Sequence, residues 1–418
     1  ELGFRRLGRF LAILFALMCI GGSFGGGNMF QGWNVKEMLK TNFSVDPTLS
    51  AFVVSGLVAM VIIGGIQRIG AVASKLVPMM CVIYVGGALF VIISNASDIP
   101  TYLSLILKSA FTPVAEAGAC AGVSVWIAFQ WGLKRACFSN EAGEGSAAIA
   151  HAAAKTDEPI REGVVAGIGP FVDTIIICTM SALVLLMSGT WDRPAAGFVA
   201  SVTETTATIQ VNPDVEERYH QHYLNRMGNG KNLSIQVVRD ANKELQTVEA
   251  PIQGLDEVPS SWDALPLLQL DISEFDVAKR EKLAVGQHVH MGMEGAEMTA
   301  FAFDTAITGF GKYIVTLGVC LFAFSTMISW SYYGEKGAEY LFGPGVILPF
   351  KIMFVLFVFL GMVLPKFDVV VNFSDATTGL MVICNLPAIL ILSPVVMKAT
   401  GDYFRRLDGG EMPKVGKR

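Results

Sequence analysis

Eight stretches of this chain are long and apolar enough to cross a bilayer or nearly so: 8–27, 50–67, 76–95, 119–154 with an interruption, 164–188, 313–333, 345–364 and 374–397. A spanning helix needs about 20 mostly apolar residues. In lipid, backbone N–H and C=O groups must be satisfied within the segment, so such runs fold as helices. Prolines punctuate the pattern: Pro47, Pro78, Pro159, Pro344 and Pro365 stand where helices are expected to start or stop. Composition agrees. The 418 residues are 52% apolar and only 16% charged, against about 25% charged in a soluble domain. A soluble enzyme and a disordered chain are excluded, and a net charge of −5 argues against a nucleic-acid binder. The fold class is an all-α polytopic membrane protein.

The charge is unevenly spread. Residues 189–298 hold 26 of the 67 charged residues and sum to −8. This is a soluble acidic insert in a membrane body. Its runs Leu233–Val238 and Leu283–Val289 look like strands, and Gly228-Asn-Gly230 looks like a turn, so a partly β domain is expected. Two His-x-His pairs, His220/His222 and His288/His290, suggest a metal site or, more simply, solvated surface histidines. All seven cysteines lie in or beside apolar runs, without CxxC spacing, and read as small buried hydrophobes. No signal peptide is visible, and a first residue Glu1 leads to the expectation that the chain begins inside a longer gene product.

Orientation follows from Lys and Arg in short loops. With the N-terminus inside, fifteen fall inside and five outside. Both termini are therefore expected in the cytoplasm, with the insert outside the inner (cytoplasmic) membrane.

The fourth run differs from the rest. Lys134, Arg135, Glu141 and Glu144 are costly at membrane depth and mark a substrate or ion pathway. Gly143 and Gly145 weaken helix there, and Ser139, Asn140 and Ser146 supply polar atoms. One reading is a helix broken in mid-membrane, with its second half starting near Gly145 and its positive end aimed at an anionic group such as an amino-acid carboxylate. The other is two helices joined by a cytoplasmic loop around 133–146, which would put the insert inside.

Phe138-Ser-Asn-Glu-Ala-Gly143, after Gly132-Leu-Lys-Arg135 and before Gly145-Ser146, resembles the signature of the alanine/glycine:cation symporter family. Other pieces match in order: Gly25-Gly-Gly-Asn-Met-Phe-Gln31, Gly64-Gly-Ile-Gln-Arg68, Leu76-Val-Pro-Met79, Asp173-Thr-Ile-Ile-Ile-Cys-Thr179, Phe322-Ala-Phe-Ser-Thr326 with Trp330 and Tyr333-Gly-Glu335, and Asn385-Leu-Pro387. The resemblance covers about 8–188 and 299–403. It implies a LeuT-type inverted repeat in which each repeat opens with a broken helix. Residues 1–188 then hold core helices three to seven and 299–403 helices eight to ten, with a basic cytoplasmic tail at 404–418. The fold is then incomplete at the N-terminus, because the first two helices, with a GTGN-like motif, have no counterpart here. The insert is a further departure from the family pattern.

The resemblance gives residues their roles. Ser325 and Thr326, with the Phe322 carbonyl one turn back, are hard oxygen ligands for a bare cation, and the family's sodium site falls here; the alternative is hydroxyls bonded back to carbonyls. Trp330 closes a small amino-acid pocket or stands in an aromatic belt. Asn28 and Gln31 bind substrate or end a helix. Ser139, Asn140, Glu141, Ala142 and Gly143 form the substrate side of the break. Asp173 pairs with Arg135 or carries a proton, and Asp375 sits at the interface. The reading is a symporter, not an enzyme and with no cofactor. It couples sodium or proton entry to transport of a small neutral amino acid such as alanine or glycine. Rivals are a transport-incompetent fragment and a sensor working through the insert.

Overall fold

The computed structural model describes residues 5–111, 125–192, 194–224, 232–239, 244–255, 259, 261–262, 265, 267–275, 283–292, 295–364 and 367–411. Residues 119–124 of the fourth run, Pro365 and the Gly228–Gly230 turn lie outside them. In chain order, α1 (Arg5–Phe24) passes through a π-helical turn at Gly25–Met29 into α2 (Phe30–Phe43). Then come α3 (Pro47–Ile62), α4 (Gly65–Ser94), α5 (Ile99–Phe111), α6 (Val125–Ser139), α7 (Ser146–His151) and α8 (Pro159–Pro170). A second π turn at Phe171–Ile177 leads into α9 (Cys178–Met187). Strands β1 (Gly197–Val202) and β2 (Thr206–Val211), helix α10 (Glu217–Leu224), and strands β3 (Asn232–Arg239), β4 (Glu244–Gln253), β5 (Leu267–Asp271) and β6 (His288–Met291) follow. Helices α11 (Ala296–Ala306), α12 (Gly311–Phe342), α13 (Ile347–Val363) and α14 (Phe367–Asp408) complete the chain.

Among the described residues, six helical runs are long and apolar enough to cross a membrane: Arg5–Phe43, Gly65–Ser94, Pro159–Met187, Gly311–Phe342, Pro344–Val363 and Val370–Asp408. The shorter α3 and the α6–α7 pair account for the other two expected runs. The chain forms two compact units, one of Glu1–Leu89, Gly132–Ser181 and Lys312–Arg418, the other of Phe90–Trp131 and Ala182–Gly311.

In the first unit α1 packs along α14, and α3 along α13. Cys19, Ala51, Val58, Ile62, Met327, Phe354 and Met381 belong to its buried core. Helix ends follow local chemistry. Asp46 caps α3 by accepting from the N–H groups of Thr48 and Leu49, with Pro47 in the first turn where its missing N–H costs nothing. The loop expected around 68–75 is helix instead. The chain turns at Ile63–Gly64, and Gly65 at φ +67° takes the left-handed conformation that the turn needs. Arg68 and Lys75 therefore sit in α4, and Arg68 donates to the Met60 carbonyl at 2.8 Å, capping the end of α3. Pro78 lies inside α4 rather than starting a helix. At the other end of the unit, Arg406 donates to both carboxylate oxygens of Glu158 at 2.8 and 3.0 Å. These bonds hold the Glu158 carboxyl below the usual carboxylate range, so the tie is in place at neutral pH and is lost as pH falls through that lowered value.

The second unit contains a closed six-stranded barrel in the order β1-β2-β5-β4-β3-β6. Ile209, Tyr219, Tyr223, Ile235, Trp262, Leu270 and Phe301 belong to its core. The expected strand Leu233–Val238 lies within β3, but of Leu283–Val289 only the end is strand, because the chain turns at Val285–Gly286. His220 lies on α10, its ring bonded to the Val215 carbonyl and stacked on Trp262; the side chain of His222 is outside the described residues. Among the described residues no group of His, Cys, Asp and Glu is arranged to hold a metal.

Lys351 on α13 and Glu335 on α12 form an ion pair at 3.2 Å with side chains only 11% and 10% exposed. Removing one partner strands a buried charge. Lys351→Met is expected to lower stability by about 3–5 kcal/mol. The double change Glu335→Leu/Lys351→Met should recover most of it, as read by thermal unfolding in detergent.

Candidate functional site

The site grows from the interruption between α6 and α7. Helix stops at Ser139 and restarts at Ser146, so the interruption falls where the glycines and charges of the fourth run were expected to place it. The groups freed by the break find partners nearby. Asn140 Oδ1 accepts from the Ala142 N–H at 2.9 Å. The Glu141 carbonyl accepts from the N–H groups of Glu144 and Gly145. Asn385 on α14 donates to the Gly143 carbonyl at 3.1 Å. Gly145 adopts φ +100°, and a Cβ there would come within 2.8 Å of both Asn385 and Phe15. Only glycine fits that combination of conformation and contact.

The π turn Gly25–Met29 forms a second wall. Its glycines are contact surfaces: a Cβ on Gly27 would land on the Trp330 side chain, and one on Gly26 would land on the Ser374 hydroxyl. Trp330 is thus seated against α1, with Gly22 also beneath its ring, and it stacks edge-on against Tyr333 at 5.5 Å. π turns of this kind concentrate at functional sites.

Between these walls lies a cavity of about 180 Å³. One water needs roughly 10–15 Å³ and drug-sized sites begin near 300 Å³, so the space suits a small solute. Gln31, Ser139, Glu141, Thr326 and Trp330 all line it. Ser146 donates to Glu141 Oε2 at 2.9 Å, and the side chains of Trp330 and Tyr333 also hydrogen-bond this carboxylate. Gln31 turns its amide N–H back to the Gly26 carbonyl at 3.0 Å. Ser139 donates to Asp173 at 2.5 Å.

The other expected residues lie off the cavity wall. Asn28 is buried and donates to the Phe354 carbonyl of α13. Asn140 and Gly143 shape the break, and Ala142 is exposed. Ser325 and Thr326 both donate to the Phe322 carbonyl, at 2.8 and 2.9 Å, which is the back-bonded arrangement; Thr326 faces the cavity and Ser325 faces Met80. Asp173 does not pair with Arg135. Arg135 and Lys134 both reach Asp375, at 3.2 and 3.8 Å, because α14 brings its carboxylate alongside the end of α6.

Four lining residues were given no role of their own from the sequence, Gly26, Cys137, Phe138 and Thr378, and a fifth, Glu144, was marked only as a pathway charge. Thr378 had a signal. Ser374, Thr378 and Asn385 recur at helical spacing on α14, a polar stripe in an apolar run. Glu144 was visible as a costly charge, but nothing in the spacing aimed it at the cavity.

The model of the sodium:alanine symporter family matches residues 3–215 and 281–417 of the chain. The chain is 33% identical to the sodium/alanine symporter AgcS of Methanococcus maripaludis, over 94% of this chain and 65% of that protein. It is 30% identical to an uncharacterized transporter of Haemophilus influenzae, over 96% and 66% of the two. It is 26% identical to the probable sodium/glutamine symporter GlnT of Bacillus subtilis, over 97% and 64%. The chain thus spans just under two thirds of the length of these relatives.

Gly145→Ala tests the geometry of the break. The left-handed conformation and the blocked Cβ together are expected to cost about 1–3 kcal/mol. The expected readout is a lower unfolding temperature with altered Trp330 fluorescence, whereas Gly132→Ala, with open space around it, should change neither.

Proposed function

The chain belongs to the sodium:alanine symporter family, and from that footing we propose that it couples entry of sodium, or of a proton, to transport of a small neutral amino acid such as alanine or glycine. The observation that carries this reading is the small cavity at a helix break, with a carboxylate, a hydroxyl and an indole on its wall. Glu141 suits the substrate ammonium, and Gln31 and Ser139 suit its polar groups. Trp330, held in place by Gly27 and Gly22, leaves room for a short side chain. Thr326 still has lone pairs after donating to Phe322, so its hydroxyl and the Phe322 carbonyl suit a cation, with Ser325 behind them.

In this reading the fold is a LeuT-type inverted repeat, and the α6–α7 pair is the first helix of its second half. The described helices are then its third to tenth, and further cation ligands come from its first. The termini lie in the cytoplasm and the barrel outside, which the fifteen-to-five bias of Lys and Arg near the ends of the apolar runs supports.

Two measurements test the proposal. Thr326→Val keeps the shape and deletes one oxygen. It is expected to raise the sodium concentration for half-maximal alanine uptake about tenfold, equivalent to about 1.4 kcal/mol; an unchanged sodium dependence leaves the hydroxyl with a structural role only. For topology, Val285 is 67% exposed in the insert. Val285→Cys is expected to react with an impermeant thiol reagent in intact cells, and protection until lysis would reverse the orientation.

A further inference from the structure

The cavity wall carries two carboxylates and, among the described residues that line it, no basic side chain. The two are not equivalent. Glu141 receives hydrogen bonds from Ser146, Trp330 and Tyr333, a donor set that suits a charged carboxylate. Glu144 is only 2% exposed, and its Oε1 has no hydrogen-bond partner among the described residues. The titratable groups around it are Glu141, Cys137 on α6, Cys19 on α1 and Tyr333 on α12. None of them is a cation at neutral pH. The nearby bases have other partners. Lys134 and Arg135 reach Asp375, and His151, beyond Glu141, bonds Glu162 at 2.7 Å.

An ionised carboxylate buried without a counter-charge costs several kcal/mol. A zwitterionic amino acid does not relieve this, because its own carboxylate cancels its ammonium. A proton does. It neutralises Glu144 and turns an oxygen without a partner into an O–H donor, which the substrate carboxylate or Glu141 can accept.

We propose that Glu144 is a proton site in the cavity wall, protonated in the buried arrangement and able to release its proton when the cavity opens to water. The proton sits on a different group from the oxygens of Phe322 and Thr326, although Thr326 lines the same cavity, and it becomes a second travelling partner of the substrate. This coupling rests on the symporter reading; the protonation of Glu144 does not.

The test therefore has two arms on the purified full chain. The first is infrared difference spectroscopy without substrate. Wild type should show the C=O stretch of a protonated carboxyl. Glu144→Gln should lose it, and Glu144→Asp should shift it. A band absent from wild type, or kept in Glu144→Gln, overturns the proposal whatever happens in transport. The second arm is proteoliposome uptake with sodium clamped and a pH dye inside. Wild type should acidify the lumen by about one proton per alanine, with uptake that weakens as pH rises, and Glu144→Gln should move about none with a flat pH profile. Equal proton movement in the two proteins overturns the coupling. The expected infrared result together with no alanine uptake by wild type leaves the proton site standing and removes the symporter reading.

Discussion

Everything at the centre of this protein depends on how the backbone interrupted between Ser139 and Ser146 satisfies its own polar groups. Lipid offers no hydrogen bonds, so an open turn between two helices is stable only where protein replaces water. Here the replacement is local and specific. Asn140 and the Glu141 carbonyl serve the N–H groups of the turn, and Asn385 serves the Gly143 carbonyl from another helix. Because the turn is bonded both within itself and to α14, it keeps a fixed shape, and the cavity beside it inherits that shape.

The opposite wall rests on a different economy of space. Three successive glycines in the π turn give up side chains, so that Trp330, Ser374 and Phe373 approach the backbone of the first helix. Glycine is a poor helix former, and the run survives because tertiary packing outweighs propensity. Bulk removed from one helix is supplied by an indole on another. The size limit of the cavity is therefore a property of a pair of helices, and it changes if either one slides. The buried Lys351–Glu335 pair and the Arg406–Glu158 tie add further links through residues that are not on the cavity wall.

Much of this was legible in the sequence. Apolar run length located the helices because a bilayer allows almost no other solution, and the charges with Gly143 and Gly145 marked the break. Helix ends were less legible. Arg68 and Lys75 fall between the apolar runs 50–67 and 76–95 and so read as loop residues, yet both are good helix formers, and the turn was set instead by Gly65 and its positive φ. The site was legible only in part. Gln31, Ser139, Glu141, Thr326 and Trp330 lie on the wall, but Asn28 and Ser325 point to Phe354 and Met80. Which face of a helix meets which neighbour is decided by packing between segments far apart in sequence, and a helix apolar on all sides gives no periodicity to read. The same reason hid Asp375 as the partner of Arg135, 240 residues away.

The insert is built so that its first and last strands are neighbours. β1 and β6 run antiparallel, with Gly197 opposite Val289 and Phe198 opposite His288. Chain entry and exit are thus side by side, and a load applied through both attachments acts across the strands rather than along them. Hydrogen bonds loaded this way give way one at a time, like a zipper, instead of sharing the strain. The closed barrel has a seam, and mechanical force would open it there first, long before the Tyr219–Trp262 core had to yield.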